Sequence, residues 1–476
     1  MGIRGLQKFI EETFEQFVEI KLRDCDIVLD GDSIYHQMYD RCKLICVFGG
    51  EYDQFYQCCM DLFESFKKWN INALVVFDGA QLDDRKRLTH VNRANGSVEE
   101  SMKKSDKLSI SPLLLRQTFI SVLDAMQIPY VSPLGENDEE CVSLANHFNC
   151  YLMATDSDYF CYNLHRGYIP FEKVIRIPPE NQEIAYLTAQ LYHIDSLLKK
   201  FEGLRLGTLA LACCLCGNDY IDSSLTERII RYMNDNVDPR RKLHSGKHWK
   251  IKNLWNAMEW MRNTNGIDEA LDDLLTKVPF DSSNELKIKI EKAFICYLEP
   301  SDTLIYRFST SNNANLNLKK NPVFVQLAQS YLSTLDMNDN QLKDFISEIS
   351  QNIKSKCNHS LPLFLADAVT DLRLPTTFID ILIHRELIRK ALIEVKDKLS
   401  VFSYAIPIIL PCFASLLKWD QELNNSSIII HRRKADKLAE YKYFINNHDP
   451  DIPELEQIWT TMPIDKRQDY RLNHLK

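Results

Sequence analysis

The sequence predicts an α/β domain built on a parallel sheet flanked by helices, followed by a mostly α-helical carboxyl-terminal region. Three observations lead there. Short apolar runs at Ile27–Leu29, Ala73–Phe77 and Tyr151–Ala154 read as buried strands, and they stop at Asp30, Asp78 and Asp156. Between the first two, Phe55, Cys58, Cys59, Leu62, Phe63, Phe66 and Trp69 recur at three- and four-residue spacing, so strand, helix and strand follow in βαβ order. Beyond about residue 220 the apolar spacings suit helices and no parallel-strand pattern continues.

At 476 residues the chain exceeds one typical core, and its 45% hydrophobic content is ordinary for a globular protein. No apolar run approaches the roughly 20 residues needed to cross a bilayer, so no membrane role is expected. The start, Met1-Gly-Ile-Arg-Gly-Leu6, lacks signal-peptide character, and an intracellular protein is expected. Most of the 14 cysteines fall in apolar segments and read as small core hydrophobes. The C-x-x-C at Cys213 and Cys216 has no second pair to complete a zinc site. A net charge of -9 argues against a surface that grips nucleic acid all over, but allows a local basic path beside an acidic, cation-filled site.

Taken in order, Phe9 to Phe17 has helical spacing before the strand ending at Asp30. After Asp78 the composition turns basic. Between Arg85 and Arg116 eight Lys or Arg face three Asp or Glu, and Asn95-Gly96-Ser97 is expected to interrupt any helix, which suggests a mobile arm away from the core. Leu113 to Met126 resumes a core helix, and Ile128–Val131 reads as a short strand. Glu136, Asp138, Glu139 and Glu140 open a helix whose apolar face is Cys141, Leu144, Ala145 and Phe148. A helix dipole accounts for some of these acids, but not for a cluster running into the strand before Asp156.

Tyr168 to Ile177 reads as a strand that Pro170 confines to a sheet edge, Glu183 to Leu198 as helical, and Leu209 to Cys216 as a buried helix ending at Gly217-Asn-Asp219-Tyr220. Helical spacings recur at 225–234, 254–262, 285–298, 323–334, 341–354, 377–398 and 403–418, with Ser309 to Lys320 as linker. A second basic stretch, Arg240, Arg241, Lys242, Lys247, Lys250 and Lys252, is interleaved with His244, His248 and Trp249, a mix suited to phosphate and base contact.

In a parallel sheet the three strand-ending aspartates share one edge, where open α/β sheets bind their ligands. Residues two apart in extended chain place Asp158 beside Asp156. Glu136, Asp138 and Asp219 can join them. Crowded carboxylates must protonate or bind cations, and oxygen-only donors select hard ions such as Mg²⁺ or Mn²⁺. Two such ions can serve an in-line phosphodiester displacement. The metal set read from charge balance is therefore Asp30, Asp78, Glu136, Asp138, Asp156, Asp158 and Asp219. Lys86 and Arg93 would draw in the scissile phosphate, so the catalytic set is Asp30, Asp78, Lys86 and Arg93.

These residues fall in recognisable motifs. Met1-Gly-Ile-Arg-Gly-Leu6, Leu29-Asp30-Gly31, Val76-Phe77-Asp78-Gly79, Glu136-Asn-Asp138, Thr155-Asp156-Ser-Asp158 and Gly217-Asn-Asp219-Tyr220 stand in the order and spacing of the flap-endonuclease superfamily. Gly49-Gly50-Glu-Tyr-Asp53, Leu144-Ala-Asn-His147 and Cys214-Leu-Cys-Gly-Asn-Asp219 are similar to its asteroid-homologue branch. The resemblance covers roughly the first 220 residues. It implies a PIN-like core, two Mg²⁺ (or Mn²⁺) ions, a mature amino terminus at Gly2 near the substrate, a basic arch, and DNA with a single-stranded portion as partner. It also implies an overhang or flap substrate, DNA repair and a nuclear location. Lys86 and Arg93 keep the family's seven-residue arch spacing, with an offset from Asp78 one residue longer than usual and Arg85 competing for the first position. The expected nucleic-acid contacts are Gly2, Arg85, Lys86, Arg87, Arg93, Lys103, Lys104, Arg240, Arg241, Lys242, Lys247 and Lys250.

The corresponding division is a nuclease core at 1–222 with its arch about 80–112, a helical extension at 223–310 and a helical domain at 311–476 that offers surface for protein partners. Two features depart from the superfamily. Ile221-Asp-Ser-Ser-Leu-Thr226 has no glycine where the family has a glycine-rich duplex-binding helix-two-turn-helix, and the tail shows no sliding-clamp box. Two rival readings exist. A haloacid-dehalogenase-type phosphatase would use Asp30 and Asp32 but leaves the other acids unexplained. A non-catalytic scaffold would keep the fold for protein binding, at odds with an intact acid set.

Overall fold

A computed structural model of the chain describes residues 2–305 apart from 4, 14–16, 45–49, 82–83, 102–110, 176–185, 219–220, 222, 244–247 and 278–279. It also describes 322–332, 368–388 apart from 373 and 385, and 427–444 apart from 435–436. The chain divides into two compact units. The first is Met1–Gly79 with Leu114–Ile346, and the second is Ala80–Leu113 with Ser347–Lys476.

The first unit opens with α1 (Leu6–Thr13), β1 (Val18–Leu22), β2 (Cys25–Asp30), α2 (Gly31–Arg41), α3 (Tyr52–Lys68) and β3 (Ile71–Val76). In the second unit lies α4 (Asp84–Ser101). The first then resumes with α5 (Leu115–Met126), β4 (Tyr130–Val131), α6 (Asp138–His147), β5 (Tyr151–Ala154) and β6 (Tyr168–Pro170). Next come β7 (Val174–Ile175), β8 (Leu187–Leu191), α7 (Ile194–Lys200) and α8 (Leu206–Leu215). The helices α9 (Ser223–Asn236), α10 (Trp249–Met261), α11 (Ile267–Leu275), α12 (Phe280–Leu298) and α13 (Pro322–Leu332) follow.

The main sheet has the order β4-β3-β2-β5-β6, and each adjacent pair is parallel. Its inner strands are apolar on both faces, as a sheet covered on both sides requires; Val28, Leu74 and Leu152 on one face and Leu29, Val75 and Met153 on the other are buried. Pro170 lies on the edge strand β6, where its missing N–H costs no ladder bond. α8 is buried along its length, and Cys213 Sγ lies 3.2 Å from Cys161 Sγ, so the C-x-x-C belongs to the core.

The second unit pairs α4 with α14 (Thr377–His384), β9 (Glu386–Ile388), β10 (Ser427–Lys434) and β11 (Lys437–Phe444). The strand order is β11-β10-β9, with β10 and β11 antiparallel and β9 parallel to β10.

Five elements differ from the sequence expectation, the first being the strand expected over Tyr168 to Ile177, which is broken by a 3-10 turn at Phe171–Lys173 into β6 and β7 of two different sheets. α4 runs unbroken through Asn95-Gly96-Ser97: Ala94 and Val98 are buried against its own unit, which offsets the roughly 1 kcal/mol that a helical glycine costs, and a Cβ at Gly96 would meet nothing within 4 Å. Over Asp84–Ser101 the basic segment is therefore a packed helix and not a free arm, while residues 102–110 lie outside the described residues. Leu187–Leu191 is a strand instead of helix, because β1 and β7 flank it as antiparallel partners. β1 itself was not anticipated. Among the described residues the carboxyl-terminal half is mostly helical but not wholly so, since residues 427–444 form a hairpin and Glu386–Ile388, within the helix expected at 377–398, is a strand paired with it. The expected helices at 341–354 and 403–418 and the linker Ser309 to Lys320 lie outside the described residues.

Candidate active site

β2, β3 and β5 are parallel neighbours, so Asp30, Asp78 and Asp156 come off one edge of the sheet, as their positions at the ends of apolar runs imply. Asp30 is 4% exposed and doubles as the N-cap of α2, its Oδ1 accepting the Ser33 amide at 3.1 Å. The same oxygen accepts the Asn137 side-chain amide at 3.0 Å, and Asn137 also donates to the Val76 carbonyl at 3.3 Å. Asn137 is thereby fixed across the ends of two strands. Its backbone N–H reaches Asp78 Oδ1 at 3.4 Å.

Gly79 makes that approach feasible, because a Cβ there would lie 2.0 Å from the Gly135 carbonyl oxygen and 2.3 Å from that of Pro133. The loop carrying Glu136, Asn137 and Asp138 packs directly on the backbone that follows Asp78. The Tyr159 hydroxyl lies 3.3 Å from Asp30 Oδ2 and 3.0 Å from Asp138 Oδ1, inside the core. One hydroxyl hydrogen serves one carboxylate at a time, so accommodating both needs a proton or a cation. Burial, and then the charges of Asp78, Asp138 and Asp32, push the Asp30 carboxyl well above the usual carboxylate range.

Asp156 and Asp158 are brought together by a mechanism other than extended chain. β5 ends at Ala154, and Ser157–Cys161 is a 3-10 turn capped by Asp156, whose Oδ1 accepts the Asp158 amide at 3.4 Å. Asp158 is 6% exposed and accepts the Ile3 amide at 2.6 Å. Gly2, at φ +56°, lies against both acids: a Cβ there would fall 2.2 Å from Asp158 Oδ1 and 2.3 Å from Asp156 Oδ1. Capping and clustering are thus compatible. The two groups of acids share neighbours, since burial first and then Asp30, Asp138 and Asp156 among other charges raise the Tyr159 and Tyr168 hydroxyls.

Among the described residues no three His, Cys, Asp or Glu form a ready-made metal shell. The acids stand as an Asp30, Asp78 and Asp138 group and an Asp156 and Asp158 pair; Glu136 is half-buried in the loop before α6, and Asp219 lies outside the described residues. Their chemistry nevertheless fits a hard divalent cation. The donors are carboxylate oxygens, their mutual charge is costly without a cation, and Gly2, having no Cβ, lets the amino-terminal backbone lie directly against Asp156 and Asp158.

Five residues that the sequence did not assign complete the arrangement. Besides Asn137 and Tyr159, Asp32 accepts the Asp78 amide at 2.7 Å and the Tyr35 hydroxyl at 2.7 Å. Arg116 donates to the Asp78 carbonyl at 2.9 Å and lies 3.9 Å from Asp32 Oδ2. Ser33 Oγ lies 3.2 Å from the Thr155 amide and so joins the ends of β2 and β5. Asn137 and Tyr159 adjoin the acidic motifs, and that adjacency was the available signal. Glu139 and Glu140 serve elsewhere. Glu140 accepts the Ser301 hydroxyl at 2.8 Å and the Thr303 and Leu304 amides at 3.0 and 2.9 Å, while Glu139 accepts the Ser301 amide at 2.9 Å.

The basic residues fall in several places. Lys86 and Arg85 lie on α4 with their side chains outside the description, Arg93 is half-buried on the same helix, and Lys103, Lys104 and Lys247 lie outside the described residues. Arg87 is ion-paired with Glu386 in the second unit. In the first unit Arg240 is held by Asp238 through contacts of 2.9, 3.2 and 2.9 Å, which keep the Asp238 carboxyl below its usual range. Arg241 lies 3.7 Å from Glu259, and Lys242 reaches the Asp235 carbonyl at 3.4 Å. The arginines of the second basic stretch are therefore largely neutralised by their neighbours.

The XPG N-terminal domain family matches residues 1–100. The chain is 30% identical over 295 residues to the human single-strand DNA endonuclease ASTE1, a match covering 60% of this chain and 43% of that protein. The chain resembles the asteroid branch of the XPG superfamily. The same likeness extends to protein asteroid of Drosophila melanogaster, at 30% identity over 174 residues, covering 36% of this chain and 20% of that one. Among solved structures, human GEN1 in complex with Holliday junction DNA is matched at 15% identity over 71% of this chain and 82% of that one, with a TM-score of 0.35, too low to bear on the site. The chain spans less than half the length of the asteroid relatives it matches.

Proposed function

We propose that the protein is a divalent-metal-dependent, structure-specific nuclease that hydrolyses phosphodiester bonds in DNA with a single-stranded portion, at overhangs or flaps, in DNA repair. The observation that carries this reading is the grouping of Asp30, Asp78 and Asp138 around Asn137 and Tyr159, with Gly2 against Asp156 and Asp158. The likeness to relatives named single-strand DNA endonuclease supports the choice of substrate. A nuclear place of action follows from the same reading, and cell fractionation would check it.

Asp30, Asp78, Glu136, Asp138, Asp156 and Asp158, with Asp219, would hold two Mg²⁺ or Mn²⁺ ions. When bound, such ions neutralise charge on a phosphate and make a water acidic enough to attack. The chain's own contribution is placement. Asn137 fixes the Asp30 carboxylate by a hydrogen bond that leaves its second oxygen facing Tyr159. The Tyr159 hydroxyl donates to one of Asp30 and Asp138 at a time, which leaves the other to a further proton or a cation. The Gly2 backbone lies directly against Asp156 and Asp158, an approach that any Cβ would block.

The test is purified protein with Mg²⁺ or Mn²⁺ against labelled single-stranded, overhang, flap and hairpin DNA and matched RNA, with Asp156→Asn as control. Metal-dependent cleavage of DNA with a single-stranded portion, lost in Asp156→Asn, is expected. Absence of cleavage on every substrate would sink the reading. Equal activity in the variant would sink the site assignment.

A further inference from the structure

Trp249 is 57% exposed at the start of α10, an unusual position for the largest amphipathic side chain. Its surroundings are cationic and aromatic. His248 stacks on it with ring centroids 5.9 Å apart at 30°, and Lys250 Nζ lies 5.6 Å from its ring. Lys252 is exposed one half-turn on, and among the described residues neither Lys250 nor Lys252 has a carboxylate partner. This contrasts with Arg240 and Arg241, which Asp238 and Glu259 hold. Lys250 and Lys252 thus place positive charge on α10 beside the indole.

The position is fixed relative to the acids. A Cβ on Gly5 would fall 3.0 Å from Lys250 Cβ, and Gly2 packs on Asp156 and Asp158. Gly2 and Gly5 are three residues apart, a span of at most about 11 Å. Trp255, one and a half turns along the same helix, packs on Phe201 at 5.0 Å and on Phe9 of α1 at 6.5 Å, so α10 is a rigid mount.

We propose that Trp249, flanked by Lys250 and Lys252, is a stacking platform for an unpaired nucleotide base and its phosphate, beside the amino-terminal segment that covers Asp156 and Asp158. The proposal rests on the nucleic-acid reading above and deepens it by naming a contact for the single-stranded part of the substrate. Aromatic faces accept any base, and neighbouring lysines take the backbone charge, so the platform is tolerant of sequence and sensitive to salt. It supplies single-strand contact in a chain that lacks the glycine-rich duplex motif after residue 220.

The experiment measures equilibrium binding of the full chain, carrying Asp30→Asn to suppress cleavage, to a short fluorescent oligothymidylate, to the same strand with abasic sites, and to a blunt duplex. Trp249→Ala is expected to weaken oligothymidylate binding about five- to a hundredfold. Trp249→Phe should recover most of it, and the abasic strand and the duplex should show little change. Lys250→Gln with Lys252→Gln should lower the slope of log affinity against log salt by about 1.4. Quenching of tryptophan fluorescence by the oligonucleotide should fall in Trp249→Phe, a readout that does not require the alanine variant to fold.

Unchanged affinity in Trp249→Ala, an equal loss in Trp249→Phe, or an equal loss on the abasic strand would overturn the platform while leaving the nuclease reading intact. No binding by any form would remove both. Binding that depends on Trp249 in a protein whose native form cleaves nothing with Mg²⁺ or Mn²⁺ would keep the platform and remove only the nuclease.

Discussion

The side-chain amide of Asn137 donates to Asp30 Oδ1 at 3.0 Å, joining residues 107 positions apart in the core of the acidic site. Asp30 is buried, so the bond replaces water that the carboxylate has lost. Asn137→Ala is expected to cost about 1–3 kcal/mol of stability, the range for leaving a buried polar group unsatisfied. DNA cleavage should fall by about tenfold or more as Asp30 loses its orientation. Thermal unfolding with and without Mn²⁺, beside single-turnover cleavage, checks both.

Asp30→Asn should move stability and activity in opposite directions. Burial and the charges of Asp78, Asp138 and Asp32 raise the Asp30 carboxyl, so ionising it in the metal-free protein opposes folding. By the sign of that shift, stability from this group is fully present below the ordinary carboxylate range and is lost as pH rises through the elevated folded value. The amide removes the charge and should raise the metal-free melting temperature at pH 8 while abolishing cleavage. A lower melting temperature would show that the repulsion is already relieved.

Gly2 tests whether the close approach of the amino-terminal backbone to Asp156 and Asp158 is needed. An alanine there meets both a left-handed φ of +56° and carboxylate oxygens 2.2 and 2.3 Å from its Cβ. Displacement of about 1 Å at a reacting centre can cost about 10²-fold. Gly2→Ala should therefore lower Mn²⁺ affinity, measured by calorimetry, and cleavage by about tenfold or more, while far-ultraviolet circular dichroism stays unchanged.

Glu386 holds α4 in the second unit, accepting from Arg87 and lying 3.1 Å from His431 Nε2. Glu386→Ala removes the carboxylate these two share, at an expected cost of about 1–3 kcal/mol. Hydrogen exchange should quicken along α4, and Glu386→Gln should restore part of the protection.

Asp380, also in the second unit, accepts the Gln81 amide, and burial lifts its carboxyl from 3.8 to about 6, with His384 opposing. A raised carboxyl stabilises fully below pH 3.8 and loses that contribution as pH rises through about 6. Protection of the Gln81 amide should decline between about pH 4 and 6 and then level off. Asp380→Asn should flatten that decline and add about 2–3 kcal/mol locally at pH 7. Repeating the series in His384→Asn separates the two groups.

By itself the sequence determined the parallel sheet and the edge where its acids gather. Runs such as Ile27–Leu29 and Tyr151–Ala154 are too apolar for any but a covered sheet, and the aspartates that end them must then share one rim. The core helices were legible for the same reason, since periodicity records which face is buried. Only the tertiary structure decided where the polar groups went. Glu139 and Glu140 follow directly on the acidic motif with no role assigned by spacing, and Ser301, Thr303 and Leu304 claim them. Arg87 looked like part of a free basic arm, yet Glu386 holds it from 299 residues away. Leu187–Leu191 became a strand because β1, far earlier in the chain, was there to pair with it, whereas residues 427–444 pair with each other as a hairpin that their spacing alone did not announce. A local pattern fixes how much of a residue is buried; which charge, amide or strand meets it is set by contacts between distant segments, and no spacing in the sequence encodes those.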